Sequence, residues 1–336
     1  MTPKLRLPAS VCLLGPINVD VTMPIDTYPQ EGDDAGAPSY SVETGGVVGN
    51  TAIALSKLGV NAKLIGCIGD DNWGNLAAEA FRQTGVDISG VSVLSGVKTG
   101  LNFAVVSKGG ERTFFNAWGA NIWDNTHQFP LHIISNTDML QVTGHPLTRS
   151  SNRPALLNAI DIAQSNDIPI SMDTSIRPVF DSTSDIRAVI PKLNICILGY
   201  EEACYLVDHS DPHTIAQKIL SQGPELVAVK LGGKGCVLAN SDECITLPSY
   251  KVKTIDTTGA GDTFTAGIIL GWLSKMDIRA TGMLANILGA LATTVWGAGT
   301  KLPGTKELIA YLASINSQDK NKRETDQIFE LFEQHL

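Results

Sequence analysis

Short runs of apolar and β-branched residues alternate along this chain with segments of helical period, and no other feature restricts its fold as strongly. Val11 to Leu14 precedes Asn50 to Leu58, Ala62 to Ile68 precedes Trp73 to Gln83, and Met139 to Thr143 precedes Pro154 to Gln164. Apolar runs this short, bounded by turn residues, suit strands covered on both faces, and their alternation with helices is the pattern of βαβ units on a parallel sheet. Pro169 to Asp173, Ile195 to Leu198 and Leu226 to Leu231 extend the sheet, and helical stretches at Gly261 to Ser274, Ile278 to Trp296 and Lys306 to Ser314 close it. The expected fold is α/β, a doubly wound and mostly parallel sheet, with residues 1–336 forming a single domain.

Two segments depart from the pattern. Asn18 to Thr44 and Thr99 to Asn116 alternate like strands without intervening helices, and Lys108-Gly109-Gly110-Glu111 reads as a hairpin turn between Leu101 to Ser107 and Arg112 to Asn116. Such strands are expected to form a small antiparallel β lid, inserted from about 18–44 and 97–118. Leu101, Phe103 and Val105 alternate with Asn102, Ala104 and Val106, which leaves apolar side chains on both faces and predicts a homodimer through the lid. Near the end of the chain, Ile328, Phe329, Leu331, Phe332 and Leu336 recur at rough helical spacing, predicting a C-terminal surface helix over about 322–335.

Charge narrows the function classes. With 25 Lys and Arg against 34 Asp and Glu the net charge is −9, which disfavours a sequence-blind grip on nucleic acid or on an anionic membrane. Ala280 to Thr300 carries no charge and reaches the length of a membrane span, yet its glycines, threonines and Asn286 suit a buried helix better. Lys4 and Arg6 are followed by only four apolar residues before Gly15 and Pro16, too few for a signal-peptide core, so a cytoplasmic protein is expected. The six cysteines contain no CxxC and read as reduced packing residues, and the six histidines lack metal-ligand spacing.

The most informative string is Asp256-Thr257-Thr258-Gly259-Ala260-Gly261-Asp262-Thr263-Phe264, which runs directly into a helix. Small residues at 259–261 let successive backbone N–H groups converge at a helix N-terminus, where unpaired amides and the helix dipole favour an anion. Asp262, in the first turn, is close enough to take a proton from a hydroxyl attacking that anion. No GxxxxGK[ST] occurs and GxGxxG fails after Gly261, which disfavours a Walker-type ATPase and a dinucleotide dehydrogenase. A second glycine turn, Glu43-Thr44-Gly45-Gly46-Val47-Val48-Gly49-Asn50, leads into a helix over Thr51 to Leu58. Its amides and the Asn50 side chain suit a polyhydroxylated ligand, or else Asn50 caps the helix behind a flap hinge. Gly15-Pro16-Ile17-Asn18-Val19-Asp20 delivers two polar side chains at a strand end, as a site outside the carboxyl ends of a parallel sheet requires.

These residues resemble the signatures of the ribokinase-like, or PfkB-type, carbohydrate kinases. One signature is matched by Gly45-Gly46 to Asn50 running into Ile65-Gly66-Cys67-Ile68-Gly69-Asp70-Asp71 and Gly74, the other by Asp256 to Asp262, in the family's order over Val11 to about Pro303. The resemblance implies an enzyme that phosphorylates a primary hydroxyl of a small sugar with ATP and Mg²⁺. It makes Asp262 the catalytic base and Gly259, Ala260 and Gly261 the anion hole, and it assigns Asn18, Asp20, Gly46 and Asn50 to the sugar. Asp173, Arg177 and Trp118-Gly119-Ala120-Asn121 also match family positions, with Arg177 a further substrate contact. For ATP it points to Lys230, Gly232, Gly235 and Asn286, for Mg²⁺ to Glu202 partly through water, and for K⁺ to Asp256 beside Gly297-Ala298-Gly299. Three positions depart from the pattern: Gly199 stands where Asn is usual, and Val47 and Thr143 stand where ribokinases proper carry Lys and an acidic residue. His145 is a further candidate sugar contact, and Phe114, Phe115 and Trp118 are candidates for the lid's inner face. A nucleoside kinase stays open, because the same machinery serves both substrates, as does a non-catalytic sugar- or nucleotide-binding regulator.

Overall fold

The computed structural model describes residues 10–108, 112–123, 129–315 and 322–332. The strands are β1 Ser10–Leu14, β2 Asn18–Pro24, β3 Ser41–Gly45, β4 Asn61–Gly69, β5 Asp87–Leu94, β6 Gly100–Val106, β7 Arg112–Ala117, β8 Met139–Thr143, β9 Ile170–Asp173, β10 Ile195–Gly199, β11 Leu226–Lys230, β12 Cys236–Ala239 and β13 Cys244–Leu247. In the first half of the chain the helices are α1 Val47–Lys57, α2 Asn72–Gln83 and α3 Arg153–Ser165. The second half adds α4 Ile176–Asp181, α5 Thr183–Val189, α6 Tyr200–Val207, α7 Pro212–Leu220, α8 Ala260–Leu273, α9 Ile278–Ala292, α10 Thr305–Ile315 and α11 Lys322–Phe332.

Among the described residues the main sheet has nine strands in the order β13-β12-β11-β10-β9-β8-β1-β4-β5. Every neighbouring pair from β5 to β11 is parallel, and β12 and β13 complete the far edge antiparallel. Side chains of period two feed two separate cores: Val11 and Leu13 of β1 join one buried cluster with α1, α8 and α9, while Cys12 and Leu14 join the other with α3 and α7. Chain order reverses at β1, where β4 lies on one side and β8 on the other. A crevice at the carboxyl ends of those strands is the expected ligand position.

The lid is a second, four-stranded sheet in the order β3-β2-β6-β7. Its outer pairs, β2–β3 and β6–β7, are antiparallel as expected, and its middle pair, β2–β6, is parallel. The parallel seam has a simple origin: β2 follows β1 and β6 follows β5, two strands of one parallel sheet, so both rise from the same edge in the same direction. Of the anticipated hairpin turn, residues 109–111 lie outside the described residues, as do residues 333–335 of the expected C-terminal helix.

Several element boundaries differ from the sequence reading. Helix α1 begins at Val47, not Thr51, because Gly46 serves as its N-cap, and the Asn50 N–H already donates to Gly46 O at 2.9 Å. Asn50 is therefore one turn inside the helix, which corrects its reading as a cap and frees its side chain. Helix α9 stops at Ala292 instead of Trp296, since the amides and hydroxyls of Thr293 and Thr294 bond back three residues to Ala290 O and Leu291 O and tighten the turn. The uncharged stretch around α9 is buried as expected, and among the described residues no helix is long and apolar enough to cross a membrane. All six cysteines are free thiols.

Candidate active site

The first turn of α8 stands at the carboxyl ends of the main-sheet strands and beneath the lid, with a cavity on each side of it. Gly259, in the left-handed region at φ 76°, is the N-cap of α8, so the amides that follow it open the helix. Gly259 and Asp262 line a cavity of about 380 Å³ together with Asn18, Asp20, Gly46, Asn50 and Arg177. Ala260 and Gly261 line a second cavity of about 540 Å³ together with Lys230, Gly232, Gly235 and Asn286. The two groups of residues assigned from sequence to sugar and to ATP thus fall into separate cavities that share one wall.

In the smaller cavity the lid supplies a polar row. Asp20, Asn102 and Asn116 stand opposite one another across β2, β6 and β7 and all face inward. Burial pushes the Asp20 carboxyl up to about 6, with the Asn102 side chain opposing, and its Oδ1 is buried without a hydrogen-bond partner. Asn18 Oδ1 accepts from Asn121 Nδ2 at 2.8 Å, which turns the Asn18 amide nitrogen away from that latch. Asn121 itself brackets Ile17, accepting from its N–H at 2.9 Å and donating to its carbonyl at 2.8 Å. Asn102, Asn116 and the latch role of Asn121 escaped the sequence reading, because the strand register that aligns Asn102 and Asn116 with Asp20, and the turn at Gly119–Asn121 that brings Asn121 to Asn18, are set by tertiary contacts.

Asp262 accepts a 2.7 Å hydrogen bond from Asn50 Nδ2. Burial pushes its carboxyl up to about 7; the Asn50 hydrogen bond and Lys230 oppose this, while the charges of Asp173 and Asp20 add to it. A carboxylate with a proton affinity near neutrality suits a general base. His145 also lines this cavity, its Nδ1 3.0 Å from Thr143 Oγ1, and burial brings its pKa down to about 4, so the ring is neutral. Phe114 and Trp118 line the cavity, and Trp118 carries the Arg149 guanidinium 4.2 Å above its ring. Phe115 is absent from that lining and lies on the opposite face of β7, which corrects its inner-face assignment. Arg177 reaches the cavity rim, but its side chain is 77% exposed and paired with Asp181 at 2.6 Å.

Below the larger cavity, Lys230 Nζ is 2.7 Å from Asp173 Oδ2, which also accepts from Thr265 Oγ1 at 2.8 Å. Burial alone would lower the lysine's pKa, and the charges of Asp173, Glu202 and Asp262 raise it instead, so it stays a cation. Glu202 Oε2 accepts from Thr174 Oγ1 at 2.7 Å and from Gly199 N–H at 3.0 Å, which leaves Oε1 outside that network. Three carboxylates around one ammonium leave excess negative charge, which fits a divalent cation. Among the described residues no three ligating side chains converge closely enough to hold a metal by themselves. That donor set fits Mg²⁺, which keeps most of its waters and shares its shell with phosphate oxygens. Asn286 donates to Pro248 O at 3.1 Å and to Leu247 O at 3.3 Å, fastening α9 to the end of β13. Both oxygens of Asp256 are engaged, Oδ1 by the N–H and hydroxyl of Thr258 and Oδ2 by Gly297 N–H, so this carboxylate ties the turn before α8 to the 297 loop.

Comparison with known proteins gives the family and the fold. A model described as pfkB family carbohydrate kinase matches residues 8–304. Probable fructokinase-3 of Arabidopsis thaliana is 28% identical over 306 residues, covering 86% of this chain and 87% of the relative. An ATP-dependent ribose-1-phosphate kinase of Halopiger xanaduensis is 29% identical over 301 residues, covering 89% and 96%. Among solved structures, a putative ribokinase II from E. coli in complex with ATP and Mg²⁺ aligns with a TM-score of 0.81 at 25% identity, covering 91% of this chain and 99% of that one.

Proposed function

The chain belongs to the pfkB family of carbohydrate kinases, ATP-dependent phosphotransferases that act on hydroxyl groups, and we propose that its acceptor is a primary hydroxyl of a small uncharged sugar. The observation that carries this reading is the shared wall: Asp262 faces a cavity rich in short polar side chains, while the amides of Ala260 and Gly261 open the cavity on the other side. In the proposed step the sugar hydroxyl oxygen bonds to the γ-phosphorus as its proton passes to Asp262. The bond from that phosphorus to the β–γ bridging oxygen breaks, and ADP leaves. The amides of 259–261 stabilise charge on the transferring group, and Lys230 balances the carboxylates beneath it. Mg²⁺, organised by Glu202 partly through water, would neutralise phosphate charge.

Asp20 and the neutral carboxamides of Asn18, Asn102 and Asn116 favour hydroxyl donors and disfavour a phosphate already on the sugar. The test is kcat/KM over fructose, ribose, a keto-deoxy sugar acid, fructose 6-phosphate, ribose 1-phosphate and adenosine. A neutral sugar is expected to lead. A lead of more than about tenfold by adenosine or a sugar phosphate, corresponding to about 1.4 kcal/mol, overturns the substrate class.

Three finer assignments belong to the same proposal. A monovalent cation such as K⁺ beside Asp256 would fix the geometry of the amide loop through neighbouring carbonyls, and equal rates in potassium, sodium and tetramethylammonium buffers would remove it. A homodimer through the lid is supported by the exposed Phe115 on its outer face. Residence in the cytoplasm is supported by six free cysteines.

A further inference from the structure

We propose that Asn50 is a positioning residue for the base, turning one Asp262 oxygen toward the acceptor hydroxyl, and that the backbone of the 297–302 loop sets the orientation of Asn50. This rests on the kinase reading of the site, and it gives Asn50 a further task beside the sugar contact that the family resemblance implies.

A carboxamide has one accepting and one donating end, and both ends of Asn50 are engaged. Nδ2 donates to Asp262 Oδ2 at 2.7 Å, and Oδ1 accepts from Gly299 N–H at 3.3 Å. The reversed orientation would set the amide oxygen against the carboxylate and the NH₂ against an N–H, two repulsive contacts in a site where Asn50 is only 4% exposed. Gly299 N–H therefore selects which end of Asn50 meets the base. With Oδ2 of Asp262 engaged, Oδ1 is the oxygen left to take the hydroxyl's proton.

The loop that carries this N–H is fastened on three sides. Lys57 Nζ, at the end of α1, donates to Thr300 O at 2.8 Å and also to Leu302 O. Lys301 Nζ is 2.6 Å from Glu43 Oε1 on the lid strand β3, and Gly297 N–H donates to Asp256 Oδ2. Gly299 sits at φ 58°, and a Cβ there would lie 2.7 Å from Thr44 O, so only glycine brings this amide so close to β3. Lid, helix α1 and the turn before α8 thus all bear on the amide that orients Asn50.

Asp262 also faces Asp173 of β9, Lys230 of β11 and Asp20 of β2, and these charges are unchanged by substitutions at 50. Asn50→Leu, close in shape and unable to hydrogen-bond, and Asn50→Asp, which sets a like charge against the base, are compared with Asn50→Ser, which keeps a donor. Three quantities are read: sugar affinity by calorimetry without ATP, using fructose and ribose; kcat; and the titration of Asp262 by carbon-13 NMR of aspartate-labelled protein. The expected result is kcat at saturating sugar lower by about 10- to 100-fold in the Leu and Asp variants, beyond any change in sugar affinity at a residue that also lines the sugar cavity. The titration of Asp262 should rise by about one pH unit in Leu and further in Asp, and rise least in Ser, whose shorter hydroxyl still puts a donor on that side. If Leu does not fold, the nearly isosteric Asp variant against Ser carries the comparison. An unchanged Asp262 titration overturns the proposal whatever the enzyme turns over, and so does a tenfold loss of sugar affinity with kcat intact. A shifted titration in a protein that phosphorylates no sugar overturns the kinase reading instead.

Discussion

Asp262 combines a chemical advantage with a structural cost, and both come from the same burial. Enclosure raises its proton affinity to near neutrality, so in the free enzyme kcat/KM should fall on the acid side of about pH 7, tenfold per pH unit once the base is protonated. A profile flat from pH 5 to 8 would contradict a base at this position. Asp262→Asn should lower kcat by the ~10²- to 10⁴-fold typical of a lost general base while leaving ligand affinities nearly intact; a variant that keeps more than about a tenth of wild-type kcat would falsify the assignment. The same substitution has a stability signature. A carboxyl whose folded pKa is raised contributes stability that is fully present below its unfolded value near 4 and is lost as pH rises through about 7. Asn imitates the protonated form at every pH, so Asp262→Asn should raise Tm at pH 8 and leave it unchanged at about pH 3.5, below the unfolded value. Melting curves at the two pH values check the sign.

Among the elements, the C-terminal helix shows where burial exceeds what the sequence pattern suggests. Ile328, Leu331 and Phe332 of α11 are almost fully buried in the core that holds α9 and α10. Gln327 Nε2 donates to Asp277 Oδ2 at 2.8 Å, and Asp277 caps α9 by accepting from Ala280 N–H. Phe332→Ala should therefore cost about 3–5 kcal/mol, read as a lower denaturant midpoint at unchanged slope, with kcat at saturation largely kept because no described residue of α11 lines either cavity. A loss below about 1 kcal/mol would mean that the helix is a dispensable surface element. Short apolar runs likewise revealed β1, β4 and β8 to β11, since runs covered on both faces have few other uses, whereas β5, β12 and β13 at the sheet's edges went unread. Helices α4 to α7 went unread between Asp173 and Leu226: α4 and α5 are one or two turns long, and segments so short carry too few periodic positions. Asp262 and the glycines before it were legible because their chemistry is local in sequence. The Asn50–Asp262 contact spans 212 positions and was not, because it depends on how α1 packs against α8.

For the molecule as a whole, the lid is the element through which the proposed dimer would bear on substrate recognition. Its inner face carries Asp20, Asn102 and Asn116, and its outer face carries a row from Val42 through Val21 and Phe103 to Phe115, matched strand by strand. Val21 is covered, but Phe115 is 57% exposed, and Tyr40 just before β3 is 72% exposed. Among the described residues β3 and β7 end the sheet with no further strand beside them. Apolar side chains next to open strand edges favour pairing with another chain, and a second lid offers the same surface in return. Sedimentation at micromolar concentration should accordingly give a dimer, and Phe115→Arg should shift it toward monomer by placing like charges across the two-fold axis. The inner row shares the strands of the proposed interface, so a lid freed from it should hold the sugar less firmly. The sugar KM should rise severalfold in Phe115→Arg while kcat at saturation stays within about twofold, since α8 and its base stand on the main domain. A wild-type chain that sediments as a monomer removes the assembly. A dimer whose disruption leaves KM unchanged removes the coupling while leaving the interface.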